Sequence, residues 1–124
     1  TDVTNSTTPT IPVGIYRVKA IIKANSWGNG EGYTSGPATA SGTAVIITGT
    51  WNVHDCTGTT ITMDQETMGT GTINSGISCS SNAYIVGEFD INVTVAATLK
   101  LRLGVETTNR DANLWYGSLT LIKI

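Results

Sequence analysis

Charged side chains are scarce in this sequence. They make up 13% of its 124 residues, against about a quarter in an average soluble domain. Nine acidic and seven basic residues leave a formal net charge of -2, and the basic residues form no stripe along the chain. Disordered chains carry a high net charge and nucleic-acid-binding domains carry a basic surface, so both classes are disfavoured. We therefore expect a folded domain with no nucleic-acid partner.

The sequence also lacks long apolar runs and helical periodicity. No apolar run approaches the roughly 18 residues of a membrane-spanning helix, so we expect no membrane insertion. Leucine occurs 6 times and alanine 9 times, whereas threonine occurs 22 times, isoleucine 13 times and valine 9 times. β-Branched side chains are stiff at χ1 and fit a pleated sheet better than a helix. The composition predicts an all-β domain, and turn-like sequences at short intervals between alternating strands predict an antiparallel β-sandwich.

Residues that could carry catalysis are few. Hydrolysis needs a base near neutral pH and a nucleophile or second carboxylate within reach. His54 is the sole histidine and no G-x-S-x-G elbow is present, so we interpret His54 as an exposed loop residue. Asp64 and Glu66 are two residues apart and in a strand would share a face, as glycosidase carboxylates can. We interpret them as solvated side chains and expect a protein that is not an enzyme.

Metal ligands are equally sparse. One histidine and two cysteines do not complete a four-ligand zinc site without carboxylates, and no D-x-D-x-D-G calcium loop occurs. We expect no metal and no cofactor. Cys56 and Cys79 enclose 22 residues, and a disulfide between them would stabilise the fold by about 3 kcal/mol and suit an extracellular protein. Two free buried thiols are the alternative, and spacing does not decide between them.

The chain divides into a short polar start and one folded domain. Residues 1–12 contain two prolines and predict a linker or stalk connection, and the domain follows over residues 13–124. The first residue is Thr rather than Met, which indicates a processed or excised piece. Residues 25–42, rich in glycine, predict a long exposed loop with at most one short irregular strand.

Alternation of apolar and polar residues predicts the strands. In the first strand, residues 14–25, Tyr16, Val18, Ala20 and Ile22 alternate with a polar-leaning face, and in residues 98–105 the leucines and Val105 face inward. The other predicted strands are 43–51, 59–63, 69–73, 83–95 and 115–124. An antiparallel arrangement with both ends at one side needs an even strand count, so we expect one further short strand within 34–42 or 76–82.

The two ends of the domain carry a recognisable pattern. The opening "IPVGIYRVKAIIKAN" holds Gly-x-Tyr-x-Val, and the closing "LGVETTNRDANLWYGSLTLIKI" holds an aromatic-x-Gly-Ser-Leu-Thr-Leu strand. This pair resembles the tumour-necrosis-factor and complement-like jelly roll, which recurs at the tips of trimeric fibres, including phage tail fibres and fibre adhesins of predatory bacteria. The resemblance implies a final strand beside the first, both ends at the stalk side, and an extracellular location on a cell surface or virion fibre.

The final strand is apolar on both faces, with Leu119 and Leu121 on one and Ile122 and Ile124 on the other. A monomeric sheet normally solvates one face near its edge, so a second apolar face needs a partner. We predict a homotrimer, in agreement with the resemblance. Cover by a loop of the same domain is the alternative.

Several aromatic residues lie in polar, glycine-rich surroundings, Trp51 among them, and aromatic rings stack on the C–H faces of sugars. If the first strand leads away from the stalk and the last returns to it, the loops after Asn25 and before Trp115 lie at the far end. We therefore predict a glycan-facing apex composed of Trp27, Glu31, Tyr33, Asn109, Arg110 and Asp111.

The resulting functional hypothesis is a trimeric, non-catalytic fibre-tip adhesin that recognises a cell-surface glycan or similar receptor. Three alternatives stay open. The domain could be a purely structural trimerisation knob, a monomeric carbohydrate-binding lectin, or a small glycan-cleaving domain that uses Asp64 and Glu66.

Overall fold

The computed structural model describes residues 7–26, 31–54, 59–68, 74–79, 82–105 and 112–124. These residues form six strands: β1 (Gly14–Ser26), β2 (Glu31–His54), β3 (Thr59–Thr67), β4 (Asn74–Cys79), β5 (Asn82–Val105) and β6 (Ala112–Lys123). No helix occurs among them. Accordingly, the part of the chain that the structure describes holds no helix able to span a membrane.

The strands pair in one antiparallel sheet. Its order is β3-β2-β5-β1-β6, and β4 pairs with the first part of β2. β1 lies between β5 and β6, so the final strand pairs with the first, as expected; Val18 faces Phe89 on one side and Leu121 on the other. The all-β antiparallel class is therefore confirmed, whereas the jelly-roll topology stays a prediction.

β2 and β5 are long strands that fold back together and create two layers. The indole Nε1 of Trp51 donates a 2.9 Å hydrogen bond to the hydroxyl of Ser35 in the same strand. Sixteen residues of straight strand would separate the two by roughly 50 Å, so β2 must double over. β5 pairs with β2 along both halves, with register shifts between Thr39 and Ala44 where the ribbon bends. The result is a β-sandwich made from one continuous sheet.

Each layer uses one half of the β2–β5 ribbon. The first layer contains β3, β1, β6 and the halves of β2 and β5 that pair over residues 44–54 and 84–93. The second contains β4 and the halves over residues 33–39 and 99–105. Its other side is extended by the residues before β1, because Ile11 and Ala97 exchange two backbone hydrogen bonds of 2.7 and 3.0 Å. Ile11 is buried, so the packed core includes a residue ahead of the expected domain start at residue 13.

Alternating side chains of both layers meet in a single core. From β1, the predicted inward set of Tyr16, Val18, Ala20 and Ile22 is buried, and the second layer contributes Leu99, Leu101 and Leu103. Ile46 and Trp51 both face the core although they are five positions apart, an odd offset that places residues of a regular strand on opposite faces. The register of β2 against β5 shifts between Ile46 and Thr48, and this bulge reverses the alternation.

Two glycines permit close approaches that a side chain would block. A Cβ at Gly87 would collide with the indole of Trp51, its cross-strand partner. Gly42 lies in the bend with a φ of 74°, a left-handed conformation that favours glycine, and a Cβ there would collide with the backbone of Ala96 and Ala97. The buried position of the Trp51 indole therefore depends on Gly87, and the bend of the β2–β5 ribbon depends on Gly42.

The structure corrects two expectations about the strands. Residues 31–42, expected within a long exposed loop, belong to β2, and residues 35–39 are buried. One further short strand was expected in residues 34–42 or 76–82. Both places contain strand residues, because 34–42 belong to β2 and 76–79 belong to β4. The predicted separate strands 83–95 and 98–105 form one continuous β5. Residues 69–73, predicted as a strand, lie outside the described residues.

Candidate functional site

The predicted apex falls mostly outside the described part of the chain. Trp27, Asn109, Arg110 and Asp111 lie outside it, and so do the side chains of Glu31 and Tyr33, whose backbone begins β2.

The strand ends that border the predicted apex are described, and they lie side by side. Ser26 pairs with Ala112, and Tyr33 pairs with Val105. Trp51 contacts Ser35 close to these ends, so both layers terminate here, opposite the bend at Gly42.

The residues considered for catalysis and for a disulfide are only partly described. Cys56 lies outside the described residues, as do the side chains of Cys79 and His54. The His54 backbone belongs to β2 rather than to a loop. Asp64 is exposed and pairs with Thr48, and Gln65 after it has a φ of 48°, which makes the strand irregular before Glu66. The Glu66 side chain lies outside the described residues, so a shared face for the two carboxylates stays a prediction.

Two further observations concern ligands. Among the described side chains, no group of three or more His, Cys, Asp or Glu residues is placed to hold a metal ion. Trp51, considered as a surface aromatic for sugar stacking, is wholly buried and packs at a 6.4 Å centroid distance from Phe89. Because its indole fills the core, Trp51 offers no surface for sugar stacking.

β6 forms an exposed edge with apolar side chains on both faces. In the strand order β6 has β1 as its neighbour on one side and no described strand on the other. Leu119 and Leu121 are partly buried against the core. Ile122 and Ile124 point the opposite way and are 63% and 65% exposed. Ile15 on β1, 44% exposed, is next to Ile124, whose backbone N–H donates to the Ile15 carbonyl at 3.0 Å. We call Ile15, Ile122 and Ile124 the isoleucine patch.

An apolar cleft opens on the inner side of the same edge. It has a volume of about 400 Å³ and lies between the residues before β1 and the inner face of β6. Its walls include Pro9, Ile11, Tyr16, Leu119 and Leu121. The Tyr16 hydroxyl donates a 2.8 Å hydrogen bond to the Pro12 carbonyl, which fixes the ring as part of the wall. The isoleucine patch and this edge cleft thus present two different apolar surfaces on opposite sides of one strand.

The outer face of the first layer carries a ladder of paired charges. Arg17 and Lys19 on β1 lie opposite Asp90 and Glu88 on β5. Arg17 Nε donates to Asp90 Oδ1 at 3.0 Å and its Nη2 donates to Oδ2 at 3.4 Å, and Lys19 Nζ is 3.8 Å from Glu88 Oε1. The hydrogen bond and charge of Asp90 raise the pKa of Arg17 above its ordinary value, so this guanidinium stays charged.

A groove runs across this ladder. It has a volume of about 530 Å³, and we call it the outer groove. Its polar walls are Arg17, Lys19, Thr48, Glu88, Asp90 and Thr120. The sequence carries a signal for this groove that alternation alone does not reveal: Arg-x-Lys on β1 and Glu-x-Asp on β5 become facing pairs once the two strands are antiparallel.

No protein-family model, curated protein or solved structure matches this chain. Its function must therefore be inferred from its own geometry and chemistry.

Proposed function

We propose that this chain is a non-catalytic, extracellular receptor-binding domain at the tip of a trimeric fibre, and that it assembles through the edge of β6. The main support for this assembly is the pair of apolar surfaces on the β6 edge, the isoleucine patch and the edge cleft. Single exposed apolar residues are common on monomers, but a contiguous patch beside an apolar cleft marks an interaction surface.

The two surfaces favour a ring over a two-fold dimer. A two-fold contact uses the same patch on both subunits, whereas a head-to-tail contact joins two different patches and closes into a ring when the rotation allows. Here the isoleucine patch of one copy meets the edge cleft of the next. The number three follows from the resemblance of the two chain ends to trimeric fibre tips. Each buried isoleucine contributes about 1.5–3 kcal/mol before the entropic cost of association.

The strand pairing supports recognition at the end of the sandwich remote from the start of β1 and the end of β6. Gly14 at the start of β1 and Lys123 at the end of β6 lie at the bend end of the sandwich. The strand ends that border residues 27–30 and 106–111 lie at the other. In the proposal, the apex carries the aromatic and hydrogen-bonding groups of Trp27, Glu31, Tyr33, Asn109, Arg110 and Asp111, and its receptor is a cell-surface glycan or similar ligand.

Light scattering coupled to size exclusion tests the assembly. The wild type should have three times the 13.0 kDa chain mass at micromolar concentration. Ile122→Asp should give a folded monomer, because an unpaired charge is costly to bury in a contact. The matched control is Val95→Asp, since Val95 is similarly exposed at 56% but lies in β5 rather than on the β6 edge. A monomeric wild type contradicts the proposal.

Glycan-array binding tests recognition. Trp27→Ala and Arg110→Ala should weaken receptor binding while the assembly mass and melting temperature stay unchanged. A trimer that binds no glycan or cell surface would instead be a structural knob, a monomer that binds glycan would be a lectin, and turnover of a bound glycan would establish the cleaving alternative. Binding that survives both substitutions contradicts the apex placement.

A further inference from the structure

The outer groove combines fixed charges with hydroxyl groups. Five strands contribute to this face, and cross-strand register arranges their residues in two rows. One row is Ile122, Arg17, Asp90, Thr48 and Asp64, and the next is Thr120, Lys19, Glu88, Thr50 and Thr62. The groove volume of about 530 Å³ lies within the roughly 300–1,000 Å³ typical of small-ligand sites.

Stability does not account for the ion pairs in the groove. The side chains of Arg17 and Lys19 are 66% and 55% exposed, and Glu88 is 63% exposed. Exposed pairs of this kind add little to folding, since solvent screens the attraction and both side chains lose rotational freedom. The Arg17–Asp90 pair nevertheless holds both groups in a defined orientation through two hydrogen bonds.

We infer that the outer groove is a binding site for a neutral polyhydroxyl ligand, a carbohydrate without ionised groups. A guanidinium has five N–H donors and a carboxylate about four acceptor sites, so the pair retains donors and acceptors beyond its two mutual bonds. The hydroxyls of Thr48 and Thr120 can donate or accept on either side. Neighbouring sugar hydroxyls likewise both donate and accept, so they can bond to either member of an ion pair.

Charge balance selects against ionic ligands. Each cation of the groove has a carboxylate within 3.0–3.8 Å. A phosphate or sulfate would therefore have to compete with that carboxylate, and a cationic ligand would compete with the arginine or lysine. A neutral polyol bonds to both members without separating them. The outer groove is distinct from the apex residues and does not depend on them.

The test is an NMR titration of amide chemical shifts with lactose, maltose, cellobiose and N,N′-diacetylchitobiose, and with sodium sulfate and choline chloride as charged probes. At least one disaccharide should produce saturable shifts at Arg17, Glu88, Thr48 and Thr120, and neither salt should saturate there. Thr48→Ala should weaken that binding about tenfold. Thr62→Ala is the matched control, because Thr62 is exposed on the same face but does not line the groove.

A charge-swapped variant separates binding from structure. Arg17→Asp combined with Asp90→Arg keeps an ion pair but exchanges the donor and acceptor positions, so the fold should persist while disaccharide binding falls. Absence of saturable shifts with all four disaccharides overturns the inference, as does binding that Thr48→Ala leaves unchanged. If the shifts disappear with Trp27→Ala but not with Thr48→Ala, the sugar binds at the apex. That result overturns the inference about the outer groove and leaves the apex proposal intact.

Discussion

At the scale of single residues, the core is specified by small side chains as much as by large ones. Trp51 is wholly buried because Gly87 leaves room for its ring and Ser35 accepts its N–H. The sequence shows Trp51 at the end of an apolar run but gives no sign of either partner, which lie 36 residues downstream and 16 upstream. Its burial could not be predicted, because it depends on long-range pairing that local pattern does not encode.

Ser35→Ala tests the Trp51 hydrogen bond. Removal of the hydroxyl leaves the buried indole N–H without this acceptor, and a buried donor that loses its acceptor costs about 1–3 kcal/mol. Urea unfolding should show a lower midpoint and an unfolding free energy that is lower by that amount. Ser41→Ala is the control, since the Ser41 hydroxyl bonds to Thr98 at an exposed position, and its cost should stay within about 0.5 kcal/mol. Equal midpoints for the two variants would contradict a stabilising role for the Ser35 hydroxyl.

At the scale of elements, the alternation of apolar and polar residues predicted the strands that bury one face and expose the other. β1 was expected over 14–25 and spans Gly14–Ser26, and its inward residues are correct. The start of β2 was missed for a physical reason. Residues 35–39 are Ser, Gly, Pro, Ala and Thr, small or polar residues typical of loops, yet they are buried beneath the other layer. Pro37 lies beyond Ser35, the last β2 residue paired with β4, and a proline is tolerated where a strand becomes an edge.

Gly42→Val tests the bend of the β2–β5 ribbon. Valine at a φ of 74° is strained, and its Cβ would collide with the Ala96 backbone. We expect a loss of about 3 kcal/mol or more in unfolding free energy, since strain and overpacking add. Ala40→Val, at an exposed position two residues earlier, should cost less than about 1 kcal/mol. An unchanged unfolding free energy for Gly42→Val would show that the bend of the β2–β5 ribbon does not depend on a glycine at this position.

The pairing of β2 with β5 also predicts slow folding. Tyr33 pairs with Val105 and His54 with Tyr84, so the central ribbon forms between residues far apart in sequence. Loop closure must precede these contacts, and domains dominated by distant pairings fold in about milliseconds to seconds. Stopped-flow dilution from urea, followed by tryptophan fluorescence, should show this range for the Ile122→Asp variant, which we expect to be monomeric. Relaxation in microseconds would contradict it.

At the scale of the whole molecule, the two layers share β2 and β5 and therefore cannot separate as independent units. Trp51 and Ser35 join the layers through a side-chain hydrogen bond, and Ile11 extends the second layer beside Ala97. The described residues therefore form one two-layered unit around a single core.

The final prediction joins assembly to stability. If folded chains form a trimer and unfolded chains do not, mass action favours the folded state as concentration rises. The melting temperature of the wild type should therefore increase over about a hundredfold rise in concentration, by circular dichroism at the low end and calorimetry at the high end. Ile122→Asp should melt at a temperature independent of concentration, because its edge no longer associates, whereas Val95→Asp should retain the wild-type dependence. A wild type whose melting temperature is the same at both concentrations would show that the isoleucine patch and the edge cleft do not stabilise the fold through a second copy.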